Sequence, residues 1–211
     1  METVLSYHDS LLKKSDVDLL EGAGWLNDKI LGFYFEYMEK EIFESFSQDV
    51  QFITPDVTQL IKLYEASDLG VFLEPLCLPQ KELIFLAVNN SESVHQAGGS
   101  HWSLLVFRRS TNTFTHYDSS GGMNTSVATR CANKLTHFIS AASTPKFTSY
   151  EQTPQQLNSH DCGVYTLCFA EVLCRKELLK DEYSVLNIIT TDYIKKWRSE
   201  TRDTIHKLAN K

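Results

Sequence analysis

The sequence predicts an α+β fold in one domain, and three observations carry that prediction. Helix start signals gather in the first third of the chain, short β-rich runs occupy the middle, and strongly apolar helical stretches return toward the C-terminal end. Runs of helices around a central set of strands are the order of an α+β protein, not the strict alternation of a parallel α/β sheet.

Each element has its own signal. After Asn27, an N-cap residue, the positions Ile30, Phe33, Tyr34, Tyr37 and Met38 recur at helical spacing. Leu31 and Phe35 widen that apolar face, so this helix is expected to be largely buried. Thr54-Pro55-Asp56 is a second start, a cap followed by Pro at the first helical position, and Val57, Leu60, Ile61 and Tyr64 follow it. Then the period changes. Leu83 to Val88 is a short continuous apolar run, and Trp102 to Phe107 and Thr113 to Tyr117 are β-rich, so three strands are predicted. Between the first two, Asn89 to Gly99 is polar or small throughout and reads as a loop with hinge capacity. A helix is expected from about Thr125 through Val127, Cys131, Leu135, Phe138 and Ile139, and a further strand from Lys146 to Thr153, ended by Pro154. Cys162 to about Leu179 reads as a strongly apolar helix. A last helix, over about 190–210, places Ile194, Trp197, Thr201, Ile205 and Leu208 on one face.

Composition narrows the class. With 42% hydrophobic, 11% aromatic and 22% charged residues in 211, the chain is neither disordered nor of low complexity. Its 20 Lys+Arg against 27 Asp+Glu leave a formal charge of -7, which argues against broad binding to nucleic acid or anionic membranes and favours a partner with a basic face. The five cysteines, Cys77, Cys131, Cys162, Cys168 and Cys174, are odd in number and contain no C-x-x-C pair. Neither a disulfide framework nor a metal site fits, and free thiols in a reducing compartment are expected. The first twenty residues lack the apolar core of a signal peptide, and no apolar run approaches the ~20 residues of a membrane helix. A cytoplasmic or nuclear protein, a monomer without cofactor, is therefore expected.

The chemistry is concentrated in a few residues. His101 and Asp118 bracket two strands joined by Arg108 to Asn112, and a hairpin turn centred on 109 to 111 sets Asp118 opposite a residue between 101 and 104. Opposed Cβ atoms lie ~5 Å apart and diagonal ones ~7–8 Å, close enough for the carboxylate to orient the imidazole. His116, two residues from Asp118 on the same face, is a rival that spacing does not exclude. Cys162 stands where Asp161 would cap a helix and Gly163 would leave room for a ligand backbone; the first turn of a helix favours a thiolate. The other four cysteines read as core. Six residues before the nucleophile candidate, the Gln156 amide with the Cys162 backbone N–H would suit an oxyanion.

The octet Gln156-Leu157-Asn158-Ser159-His160-Asp161-Cys162-Gly163 resembles the Gln-x-Asn-x-x-Asp-Cys-Gly signature of the Ulp-type, sentrin-specific cysteine proteases. Three further pieces match in the family's order: Trp25-Leu26-Asn27-Asp28, His101-Trp102 and Tyr117-Asp118-Ser119. Four motifs in order across about 140 residues are far more specific than any one alone. The resemblance implies a papain-like fold with a central mixed sheet flanked by helices, and a protease core over about 5–175 followed by the C-terminal helix. It assigns catalysis to Cys162, His101 and Asp118 with Gln156 at the oxyanion, and makes His116, which no Trp follows, non-catalytic.

Within that family the chain is similar to the deneddylase branch over essentially its whole length, through Phe72-Leu73-Glu74-Pro75-Leu76 and the loop before Gly99-Ser100-His101-Trp102. The partner so implied is a ubiquitin-like modifier, the neddylation modifier, cleaved after its C-terminal Gly-Gly. Trp25 and Trp102 are the implied walls of a channel too narrow for side chains, Asp28 the implied contact to a basic tail residue, and Asn89 to Gly99 the loop that closes over the tail. The plainer readings are core packing for the tryptophans and a helix-terminal charge for Asp28. A SUMO or ubiquitin isopeptidase, a Cys-His-Asp acyltransferase and a non-catalytic modifier-binding module are the competing functions.

Overall fold

The structure, a computed structural model, describes residues 2–93, 99–141, 143–182 and 186–210. A two-stranded hairpin, β1 (Thr3–Tyr7) and β2 (Ser10–Lys13), runs into a single helical turn, α1 (Lys14–Val17). Then come α2 (Asp28–Tyr37), β3 (Val50–Ile53), α3 (Pro55–Leu63), the short α4 (Gly70–Leu73), β4 (Leu83–Asn89), β5 (Trp102–Arg108) and β6 (Thr113–Tyr117). The remainder is α5 (Thr125–Leu135), β7 (Lys146–Ser149), α6 (Cys162–Leu178) and α7 (Thr191–Ala209).

The predicted α+β architecture with a mixed sheet is observed. Five strands lie in the order β3-β4-β5-β6-β7, with the outer pairs parallel and the inner pairs antiparallel. All seven residues of β4 are buried because helices cover both faces of the sheet. Phe85, Ala87, Leu104, Val106 and Tyr117 join one core with residues of α2, α6 and α7. Ile84, Leu86, Val88, Leu105, Phe107 and Phe114 join a second with α3 and α5. The continuous apolar run that predicted β4 is the signature of this two-sided burial.

Both helix starts behave as their sequences require. Asn27 Oδ1 accepts from the Ile30 N–H at 3.1 Å, and its Nδ2 donates to Asp16 at 2.8 Å, which ties the cap to the N-terminal segment. Thr54 caps α3, with Pro55 in its first turn. At the other end, α7 docks through Trp197, whose ring lies 4.7 Å from that of Tyr34 and whose Nε1 donates to the Tyr34 hydroxyl at 3.2 Å.

Several expectations are corrected. The hairpin β1–β2 and strand β3 were not foreseen: the first turns on His8, at φ 45 rather than on a Gly or Asn, and β3 is only four residues long. Helix α5 ends at Leu135, so Phe138 and Ile139 reach the core from a turn. Strand β7 stops at Ser149, short of Thr153. Asn89 belongs to β4, paired with Trp102, and the loop starts after it; residues 94–98 of that loop lie outside the described residues. Cys77 is exposed, not core, because it occupies a left-handed position (φ 50) between two short 3-10 turns and its side chain faces out. Cys131, Cys168 and Cys174 are buried.

Phe85 stacks on Phe52 at 5.2 Å and is fully buried, so Phe85→Ala should lower the unfolding free energy by about 3–5 kcal/mol. The check is a urea titration in which the midpoint falls while the slope holds.

Candidate active site

Hairpin β5–β6 brings the first two residues together. Arg108 pairs with Thr113 and Leu104 with Tyr117, so the register continues to place Asp118 across from Ser103, one diagonal from His101. His101 Nε2 meets Asp118 Oδ1 at 2.6 Å, and both side chains are almost completely buried. The carboxylate can only accept, so Nε2 carries the proton. Asp118 also accepts from the backbone N–H groups of Ser120, at 2.8 Å, and Asn124, at 2.9 Å. Burial would raise its carboxyl, but the bond from His101 and these two amides hold it below the usual carboxylate value.

Cys162 completes the group from the first turn of α6, where it is 3% exposed. Its thiol, like the Asp118 carboxylate, interacts with the His101 imidazole. Burial works against the imidazolium, yet the bonds and charges of Asp118 and Cys162 outweigh it and raise His101 to about 9. Burial pushes the remaining buried thiols up, Cys131 to about 11 and Cys168 and Cys174 well above the usual thiol value.

His116 occupies a different environment. Its Nε2 faces the Ser103 hydroxyl at 2.9 Å, and burial, helped by the nearby charge of His101 and opposed by Asp118, lowers it to about 4. Ser103 Oγ in turn accepts from Asn124 Nδ2 at 3.1 Å, leaving the serine proton for a neutral His116. Asn124, fully buried, also donates to the carbonyls of Val88 at 3.0 Å and His101 at 3.3 Å. It therefore fixes both the backbone that carries His101 and the carboxylate that bonds the His101 ring. Sequence reasoning passed over it because an Asn before a helix reads as a cap, and here its side chain does not cap α5.

Cys162 and His101 line one cleft of about 500 Å³ together with Trp25, Asp28 and Trp102. Trp25 is 46% exposed, so core packing does not account for it. Trp102 is half-buried, its Nε1 donating to the Leu26 carbonyl at 3.0 Å. Asp28 pairs with Lys29 at 3.1 Å. Gly163 leaves room, but for the protein itself: a Cβ there would meet Leu26 at 3.0 Å and Trp102 at 3.4 Å, so the expected ligand backbone is replaced by this packing. The far end of the cleft holds two polar groups that the sequence reading missed. The Thr58 hydroxyl is buried without a partner among the described residues, and Lys62 donates to Gln59 at 2.7 Å and to the Ser91 carbonyl at 2.5 Å.

Gln156 stands outside the lining of this cleft. Its Oε1 accepts from Ser119 at 2.7 Å and its Nε2 donates to the Asn158 carbonyl at 2.6 Å, so one amide proton is spoken for. Asp161 occupies the cap position of α6 but its side chain does not cap; it bonds Arg198 and Asn158 instead. Among the described residues, no group of three or more His, Cys, Asp or Glu side chains is placed to hold a metal ion, and no helix is long and apolar enough to cross a membrane.

A thiol at a helix head that shares a cleft with an imidazole bonded to a buried carboxylate, set in an α+β frame, is the arrangement of a cysteine protease. Residues 24–208 match the model of the Ulp1 protease family, C-terminal catalytic domain, and the chain belongs to that family. It is 44% identical over 209 residues to sentrin-specific protease 8 of Rattus norvegicus, covering 99% of this chain and 96% of that one. To NEDD8-specific protease 1 of Arabidopsis thaliana it is 33% identical over 211 residues, covering 99% and 88%. Among solved structures, the C-terminal Ulp1 protease domain in complex with Smt3, the yeast ortholog of SUMO, superimposes with a TM-score of 0.75 at 18% identity, over 99% of this chain and 89% of that one, a likeness of fold.

Two histidines set opposite pH limits on stability. His101 is raised on folding, so its contribution is complete below about 6.5 and is lost as pH rises through about 9. His116 is lowered on folding, so stability is lost as pH falls from about 6.5 toward 4, where the unfolded chain takes the proton first. NMR titration of the ring protons should show one imidazole titrating near 9, absent in His101→Gln, and another near 4, absent in His116→Gln.

Proposed function

We propose that this chain hydrolyses the peptide or isopeptide bond after the C-terminal Gly-Gly of a ubiquitin-like modifier, the neddylation modifier. The observation that carries the reading is the buried His101–Asp118 pair, with His101 and Cys162 lining one cleft together with Trp25 and Trp102. Flat aromatic walls favour residues without side chains. Near-full-length likeness to proteins named as sentrin-specific and NEDD8-specific proteases supports the choice of modifier.

In the reaction so proposed, the Cys162 thiolate attacks the carbonyl carbon of the terminal glycine, its proton held on His101. Gln156, through the amide proton not given to Asn158, and the Cys162 N–H are proposed to receive the oxyanion. His101 then protonates the departing amine, of a precursor tail or of a target lysine, and water, deprotonated by His101, cleaves the thioester. Asp118 keeps the ring oriented and stabilises its charged form throughout. Asp28 is proposed to meet a basic residue of the tail.

The deciding experiment offers three modifiers, of the neddylation, SUMO and ubiquitin types, each with an electrophilic C-terminus. Rapid covalent labelling of Cys162 by the first alone is expected; labelling by another at equal or greater rate reassigns the substrate, and labelling by none removes the function. Cys162→Ala should bind the modifier without turnover. Asp118→Ala should lower kcat by about 10²–10⁴-fold while leaving residual activity, as loss of an orienting group for an acid–base residue does. Gln156→Ala should cost about 10²–10³-fold in kcat with KM little changed, read by steady-state cleavage of a C-terminal reporter.

A further inference from the structure

Arg198, in the middle of α7, is 6% exposed and carries no role in the chemistry described above. Its guanidinium is nevertheless fully engaged next to the nucleophile. Nε and Nη2 both donate to Asp161 Oδ1, at 2.9 and 2.8 Å. Nη1 donates to the Leu19 carbonyl at 2.9 Å, and Nη2 also reaches the carbonyls of Gly24 at 2.9 Å and His160 at 3.3 Å. Gly24 is held so closely that a Cβ there would lie 2.3 Å from the Leu19 oxygen. One side chain thus joins the residue before Cys162 to the residue before Trp25.

The consequence for α6 is chemical. An Asp at a cap position ordinarily turns its carboxylate onto the first-turn amides. Here the carboxylate is drawn away, Oδ1 by Arg198 and Oδ2 by Asn158 at 2.7 Å, and α6 has no side-chain cap. The amides at the head of the helix are left for an anion, and Asp161's own charge is neutralised one residue from the thiol.

We propose that Arg198 is a positioning residue for the hydrolysis: it holds the Asp161 carboxylate off the head of α6 and ties the Trp25 segment to the same point. The inference rests on Cys162 being the nucleophile of the reading above. The titratable and charged groups facing Asp161 and Cys162 are Arg198 from α7, His101 with Asp118 behind it, His160 at 3.9 Å from Asp161, and Tyr165 and Cys168 from α6.

The test measures Cys162 alkylation by iodoacetamide across pH, located by peptide mass spectrometry with the exposed Cys77 as internal standard, alongside kcat, KM and Tm. His160→Gln in each background is the control for the histidine that stands 3.9 Å from Asp161. Arg198→Met should slow Cys162 alkylation at neutral pH about tenfold and move the acid limb up by about one unit, because an uncompensated carboxylate then faces the thiolate. Adding Asp161→Ala should restore the alkylation profile to within about twofold while KM for the modifier reporter stays raised, since the Trp25 segment has still lost its tie. Arg198→Lys, which keeps the charge without the fork, should keep the acid limb and raise KM; it carries the test with the double variant should Arg198→Met fail to fold. A folded Arg198→Met with wild-type alkylation and turnover overturns the proposal. So does a double variant that is folded yet unrestored, or one restored in KM as well, which would mark a purely structural role. A wild-type enzyme that cleaves no modifier reporter sinks the functional reading, and the alkylation contrast then decides the role of Arg198 alone.

Discussion

The register of the β5–β6 hairpin is the constraint on which the site depends. Arg108 pairs with Thr113 across a four-residue turn in which Asn112 takes the left-handed conformation (φ 47). From there the ladder counts back to Leu104 and Tyr117, and Asp118 falls on the diagonal of His101. A slip of one residue would send Asp118 to the other face of the sheet, since side chains alternate with period two. Arg109 guards against that slip: its guanidinium donates to the carbonyls of Lys81, Ile139 and Leu78 at 2.7, 3.0 and 2.8 Å. The turn is thereby anchored to segments that enter β4 and leave α5.

What the sequence made legible follows from where the signals are local. Asn27 and Thr54-Pro55 act on amides within a turn of themselves, and the two-sided burial of β4 is written in its own residues. The hairpin arithmetic from 101 to 118 needs only a turn centre, and the motif order supplied the residue that spacing left ambiguous between His101 and His116. Illegible were the contacts made over long sequence separation. Arg198 reads as one cation in an amphipathic helix until α7 is docked by Trp197 on Tyr34, and only then does it meet Asp161. Asn124 reads as a helix cap until the sheet brings Val88 and His101 to its side chain. Cys77, flanked by Leu76 and Leu78, reads as core; a left-handed backbone turns it out, and neither neighbour announces that.

Arg109 and Arg198 solve one physical problem in the same way. Irregular segments carry carbonyls that no ladder satisfies, and buried carbonyls left unpaired are costly. A guanidinium offers five donors in a rigid plane and remains charged. Arg109 uses it to collect three carbonyls around the hairpin turn, Arg198 to collect three carbonyls and a carboxylate around the head of α6. Rigidity at the two ends of the site therefore comes from side chains that are themselves immobilised.

Two buried carboxylates, Asp118 and Asp161, flank the candidate site, and they are balanced by cations of different kinds. Asp161 is answered by Arg198, whose guanidinium stays charged. Asp118 is answered by His101, whose charge is surrendered near 9. Of the two pairs, the one that holds His101 can change its charge, while the Arg198–Asp161 pair keeps both of its charges. Were Asp118 paired with arginine as well, neither pair would hold a group able to take up or release a proton.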